Sequence, residues 1–189
     1  MMRSAIAVLL VVLLGAGSVC ANPIGFDAMH IDFDPGSYVT RIDPAPYTAA
    51  DAFVMLEMFS SGVGFTTVSF KMGVTPGTSS PASYESLLPG GLSIGNWEEG
   101  ITLSSTECID PAQHPYAIAV AHLFYLGTPG DITIEDHPDY PRWVVDCYDN
   151  VQIYCVLWNG GVGKDAEFGD CEGQPVEATS WSAIKSLYR

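Results

Sequence analysis

Residues 143–158 read W-V-V-D-C-Y-D-N-V-Q-I-Y-C-V-L-W, the clearest strand signal in the chain. Two runs rich in β-branched and aromatic residues flank Asp149-Asn150, a dipeptide whose short side chains tolerate the positive φ of a tight hairpin turn. Val144, Val151, Ile153 and Val156 suit a pleated, half-buried surface, and Cys147 and Cys155 can each anchor a crosslink. The pattern predicts a β-hairpin centred on Asp149-Asn150. That register sets position 147 opposite 152, which disfavours a Cys147–Cys155 bond.

Outward from this hairpin the chain reads as more strands. Ile24–Phe33 predicts a strand ending at the turn signature Asp34-Pro35-Gly36. Ala49–Phe59 is helix-tolerant in composition but is read as a strand. Gly64–Val74 alternates, with Phe65, Val68, Phe70 and Met72 apolar. Thr75–Pro89, rich in Pro, Gly and Ser, predicts a loop with room for one helical turn at Tyr84–Leu88. Leu92–Ile94 and Gly100–Leu103 predict short strands, followed by a polar segment holding Cys108 and Pro111. Tyr116–Leu126 is almost uniformly apolar, the pattern of a strand buried on both faces. Asp131–Glu135 adds another. About eight to ten short strands with Gly/Pro breaks and no long amphipathic helix imply an all-β, two-sheet antiparallel β-sandwich.

The N-terminus carries a different signal. Met1-Met2-Arg3, an apolar run from Ala5 to Leu14, and small residues leading to Ala21 form a secretory signal peptide, residues 1–21. The run is too short for a membrane helix, which needs about 20 residues. Lipidation of Cys20 would want a smaller residue than Val19 before it. Cleavage removes one of seven basic residues and none of the 22 acidic ones, so the net charge moves from −15 to −16. A chain this acidic lacks the Lys/Arg patches that nucleic acid or anionic membranes require, and it leaves room for divalent cations. Loss of Cys20 leaves Cys108, Cys147, Cys155 and Cys171. An even number in a secreted chain implies two disulfides with three possible connectivities, and zinc is disfavoured because no C-x-x-C pair occurs.

Several motifs invite chemical readings. Gly91-Leu92-Ser93-Ile94-Gly95 matches G-x-S-x-G, but no helix or parallel sheet accompanies it. Asn159–Lys164 echoes a phosphate loop whose first Gly falls on Trp158 and whose Ser/Thr is Asp165. Asp32-Phe33-Asp34-Pro35-Gly36 opens like a calcium loop, making Asp32 and Asp34 candidate ligands. Glu135-Asp136-His137-Pro138-Asp139 is the densest polar group. Glu135, Asp136 and Asp139 are candidate metal ligands there, or acid/base groups of a hydrolase, while Arg142 is available to pair with Asp139. Trp97 beside Glu98 and Glu99 is the best candidate platform for a sugar. His30, His114 and His122 read as isolated, with His122 inside the core. The chain closes on Gly169–Thr179, polar and turn-rich, then Trp181, Ile184 and Leu187 at helical spacing behind a Thr179/Ser180 cap.

Three stretches carry a family resemblance: I-G-F-D-A-M-H-I-D-F-D (24–34), H-P-D-Y-P-R-W-V-V-D-C (137–147) and T-S-W-S-A-I-K-S-L-Y-R (179–189). They resemble a group of uncharacterised bacterial secreted proteins with a cohesin-like or immunoglobulin-like β-sandwich and a short W-x-x-I-K-x-L-Y-R tail. The order of elements from Gly64 to Glu135, closing in D-I-T-I, is similar to a cohesin-type domain. The resemblance implies the fold and carries over neither an activity nor a dockerin-binding residue.

These readings predict a signal peptide (1–21), a β-sandwich (22–171), and a linker with a helical tail (172–189). The expected function is non-enzymatic: an extracellular, cell-surface or periplasmic domain that binds a protein or glycan and needs no cofactor. A carbohydrate- or calcium-binding module is the alternative, and a hydrolase built on the Glu135–Asp139 loop is more distant.

Overall fold

The computed structural model describes residues 27–58, 63–110, 115–139 and 141–171. The segments read as a signal peptide (1–21) and as a linker with a helical tail (172–189) lie outside the described residues. Within them the chain is all-β. One sheet holds β1 (Asp27–Asp32), β3 (Ala49–Met58), β5 (Ser79–Ser86), β8 (Tyr116–Tyr125) and β12 (Cys155–Trp158), in the order β12-β1-β3-β8-β5. The other holds β2 (Arg41–Ile42), β4 (Phe65–Val74), β6 (Leu92–Asn96), β7 (Gly100–Ile109), β9 (Gly130–Glu135), β10 (Trp143–Asp146), β11 (Val151–Ile153) and β13 (Gly160–Val162). Its path is β11-β10-β4-β9-β13-β2, with β7 on the free side of β4 and β6 beyond β7.

Period-two alternation points one side of each sheet inward. Met29, Ile31, Val54, Leu56, Ile118 and Leu123 from the smaller sheet meet Val68, Phe70, Ile101, Leu103, Ile132, Ile134 and Val144 from the larger. Phe65 and Tyr116 bridge the layers edge to face, with ring centroids 5.9 Å apart. Full burial of one such aliphatic or aromatic side chain is worth about 1.5–3 kcal/mol. The ambiguous run is strand β3 over Ala49–Met58, because its alternate residues Ala52, Val54, Leu56 and Met58 all enter this core.

Three expectations need correction. The loop read at Thr75–Pro89 contains β5, with no helical turn at Tyr84–Leu88. Pro81 misled the reading, yet β5 is an edge strand, where a missing N–H is tolerated, and its pairing slips at Pro81/Ser83. The polar segment with Cys108 belongs to β7, which runs on to Ile109. The hairpin register also differs: Trp143 pairs with Ile153 and Val145 with Val151. The connection is wider than a two-residue turn because buried Asp146 organises it. Its Oδ1 accepts the amides of Tyr148 and Asn150, both at 2.8 Å, and Asp149 takes the left-handed conformation at φ +62°. The second arm then breaks at Tyr154, whose hydroxyl donates to the Ser69 carbonyl at 2.6 Å. From there β12 leaves for the smaller sheet, parallel to β1, and β13 returns parallel to β2.

Asn159–Lys164 performs this crossing. A Cβ on Gly160 would lie 2.6 Å from Ile31 Cγ2, so its glycine allows a close strand approach. The disulfides are Cys108–Cys147, clasping β7 to the end of β10 across β4, and Cys155–Cys171, pinning the last described segment to β12.

Candidate functional site

Cross-strand pairs share a face, so the register of the larger sheet lays out its outer surface row by row. One row reads Ile153–Trp143–Ser69–Thr102–Ile94, and the next reads Val145–Thr67–Ser104–Leu92. The centre is small and hydroxylated: Ser69 is fully buried, and Thr67, Thr102 and Ser104 are half-buried around it. Thr67 and Ser104 hydroxyls lie 3.0 Å apart, and those of Ser69 and Thr102 lie 3.1 Å apart. Apolar side chains flank it on both sides: Leu92 and Ile94 are 60% and 59% exposed on edge strand β6, and Ile153 is 42% exposed on β11. The result is a shallow hydroxyl strip between two greasy rims.

The Glu135–Asp139 loop borders this surface. A Cβ on Gly100 would strike the His137 imidazole at 2.4 Å, so the glycine lets His137 and Pro138 fold over the sheet next to Thr102. Desolvation there lowers the His137 pKa. Glu135 receives hydrogen bonds from Lys71 (2.8 Å) and Thr133 (2.9 Å), and the Lys71 ammonium lowers its pKa. Arg142 contacts Asp136 at 2.9 Å and also pairs with Asp170, so the expected Arg142–Asp139 pair is not formed. Asp139 lies instead 3.9 Å from His137.

The other predicted residues are dispersed. Trp97 is a core residue, 7% exposed, lining a cavity of about 210 Å³ with Met72, Val74, Ser79 and Glu98. Its ring therefore presents no open platform, because the β6–β7 turn folds it inward. Glu99 is tied into that turn by Asn96, and Ser93 of the G-x-S-x-G match sits on an exposed hairpin arm. Asp32 is buried and accepts the amides of Asp34, Tyr38 and Val39, which makes it the organiser of the turn after β1. Asp34 is exposed on that turn. Among the described residues no three His, Cys, Asp or Glu side chains converge as a metal site.

His122 lies at the surface with its Nδ1 2.8 Å from Asp51, since the buried face of β8 is carried by its neighbours Ala121 and Leu123. His30, read as isolated, has company: it is fully buried, stacked on Tyr38 at 5.3 Å, with Nδ1 3.8 Å from Glu57. Tyr38 Oη donates to Glu57 at 2.7 Å. This turn closes over the β1–β3 end of the smaller sheet's outer face.

No protein-family model and no curated protein matches the sequence. Solved structures match in shape. A cohesin of scaffoldin B from Acetivibrio cellulolyticus, solved in complex with a dockerin, superposes with a TM-score of 0.55 at 13% identity, over 75% of this chain and 99% of that one. The fold is cohesin-like. A cohesin module from a Clostridium perfringens family 33 glycoside hydrolase gives a TM-score of 0.53 at 9% identity, over 75% of this chain and 99% of that one. A type I cohesin from a cohesin–dockerin complex of Clostridium thermocellum gives 0.53 at 10% identity, over 73% and 92%. The cohesin-like sandwich here carries two disulfides, which fit an oxidising extracellular setting.

Proposed function

We propose that this chain is a non-catalytic extracellular protein-interaction module, and that it binds its partner on the outer face of the larger sheet. The observation that carries the reading is the register-aligned hydroxyl strip between exposed Leu92/Ile94 and Ile153. Apolar contacts on a partner would bury the rims, and the half-buried Thr67, Thr102 and Ser104 hydroxyls would supply hydrogen bonds without the desolvation cost of charge. The cohesin-like fold supports this, because solved examples include complexes with dockerins.

Electrostatics define the partner further. The four Lys and Arg side chains among the described residues, Arg41, Lys71, Arg142 and Lys164, are each ion-paired. Glu98, Glu99 and Glu107 stand exposed beside the strip. The surface left over is negative, so the fitting partner combines apolar side chains with a basic rim.

Purified dockerin modules are the probes for a calorimetric test. Ile94→Arg should weaken binding about tenfold or more by placing a charge where an apolar contact is buried, while Phe124→Ser on the opposite sheet should leave it unchanged. Equal binding by wild type and Ile94→Arg, or no binding by any module, overturns the reading.

A further inference from the structure

A second surface lies across the Glu135–Asp139 loop from the hydroxyl strip, at the edge of the sandwich where β12 runs past β9. Phe168 forms a bridge with Trp158 and rests on its ring, with centroids 3.7 Å apart, yet stays 70% exposed. An exposed phenyl ring backed by an indole is a firm apolar plate. Beside it opens a cavity of about 310 Å³, lined by Thr133, Glu135, Arg142, Asn159, Asp170 and Phe168 among others. That volume is at the lower end of small-molecule sites, about 300–1,000 Å³.

The polar groups of the cavity are held in place. The Arg142 guanidinium is fixed between Asp136 and Asp170 and reaches the Ile134 carbonyl at 3.4 Å. Asp170 Oδ1 accepts the Val156 amide at 2.8 Å, and Asn159 Oδ1 accepts the Ile134 amide at 3.4 Å. The plate is equally fixed, because Cys171 is bonded to Cys155 and the Gly169 amide donates to Leu157 at 2.9 Å.

The charges decide the ligand class. Arg142 is offset by Asp136 and Asp170, and Lys71 by Glu135, so no cation is left over to hold an anion. The carboxylates keep spare lone pairs, and the Asn159 amide keeps its N–H donors for a ligand. An aromatic plate beside fixed donors and acceptors, with every cation paired and one carboxylate in surplus, disfavours an anion and suits a ring with apolar C–H faces and hydroxyl edges. We propose that Phe168 and the Arg142–Asn159–Asp170 pocket form a binding site for a neutral pyranose unit, with Phe168 stacking on the sugar face. Such a unit occurs in free polysaccharide and in protein-borne glycans alike.

The test uses the full mature, oxidised protein and saturation-transfer NMR with calorimetry. The probes are cellohexaose, laminarihexaose and mannohexaose, an acidic oligogalacturonate, and a high-mannose glycoprotein with its deglycosylated form. At least one neutral probe should bind, and the glycoprotein arm separates protein-borne from free glycan. Phe168→Ala should weaken binding about tenfold or more with an unchanged melting temperature, Phe168→Trp should retain it, and Asn159→Ala should weaken it. Ile94→Arg, which disables the protein-binding face, should leave sugar binding intact, so the two proposals fail separately. No binding by any neutral probe, binding indifferent to Phe168→Ala, or preference for the acidic probe overturns the proposal.

Discussion

His30 has no hydrogen-bond partner for either ring nitrogen among the described residues, and it lies under Tyr38 beside Glu57. Burial pushes its pKa below the ordinary 6.5, and this outweighs the pull of Glu57 and Asp32 in the opposite direction. The native state therefore keeps the ring neutral, while the unfolded chain takes up a proton near 6.5. Above that pH the group makes no difference to stability. Below it, stability falls towards the folded pKa with a slope of at most about 1.4 kcal/mol per pH unit. Urea denaturation of wild type and His30→Phe at about pH 7.5 and pH 5.5 checks this: the wild type should lose more stability on acidification than the variant. The same pocket shows at high pH. The hydrogen bond to Glu57 holds the Tyr38 phenol up at about 12. Nothing in the sequence around His30 announces the cluster, because Glu57 is 27 positions away and joins it only through the β1–β3 pairing.

Strand β4 is the element on which the larger sheet depends, since it pairs with β7, β9 and β10. The Cys108–Cys147 bond closes the two flanking strands over its start. Gly64 makes room for it: a Cβ there would lie 2.8 Å from Cys108 Sγ and closer still to the Ile109 carbonyl. The bridge spans 39 residues, for which loop-closure entropy predicts about 4 kcal/mol of stabilisation. Cys108→Ser/Cys147→Ser should lower the unfolding free energy by roughly that amount in a guanidinium titration. Gly64→Ala should destabilise by about 1–3 kcal/mol through overpacking and should slow formation of this disulfide, as thiol titration during oxidative refolding would show. The cysteine parity and the secretory context implied two disulfides, and the strand pattern disfavoured one pairing. The choice between the remaining pairings came from sheet order, which no local pattern encodes.

At the scale of the whole molecule, the strongly acidic composition reappears as a surface on which the four cations among the described residues are already ion-paired. Attraction of a basic partner is then a long-range effect, screened over about 10 Å at 0.1 M salt. For the proposed protein-binding face, raising salt from about 0.05 to 0.5 M should slow association with a basic protein partner several-fold and leave dissociation nearly unchanged, measurable by surface plasmon resonance. A neutral sugar at Phe168 should show almost no such dependence. This difference separates the two surfaces without a mutation.

The sequence by itself determined the fold class, most strand positions and the number of disulfides, because these rest on local alternation, turn chemistry and cysteine parity. It also weighed against a phosphate loop at Asn159–Lys164 and a nucleophile elbow at Gly91–Gly95, because the residues that chemistry needs are missing there. It did not determine which residues meet. Trp97 reads as a surface ring because its neighbours are polar, yet the β6–β7 turn rolls it into the core. Phe168, in a polar segment, drew no notice, and becomes an exposed plate only because Trp158 arrives beneath it from β12. The crossing at Tyr154, the row from Ile153 to Ile94 and the burial of His30 are likewise products of sheet register. Register is set by the joint burial of strands far apart in the chain, so only the tertiary structure could decide them.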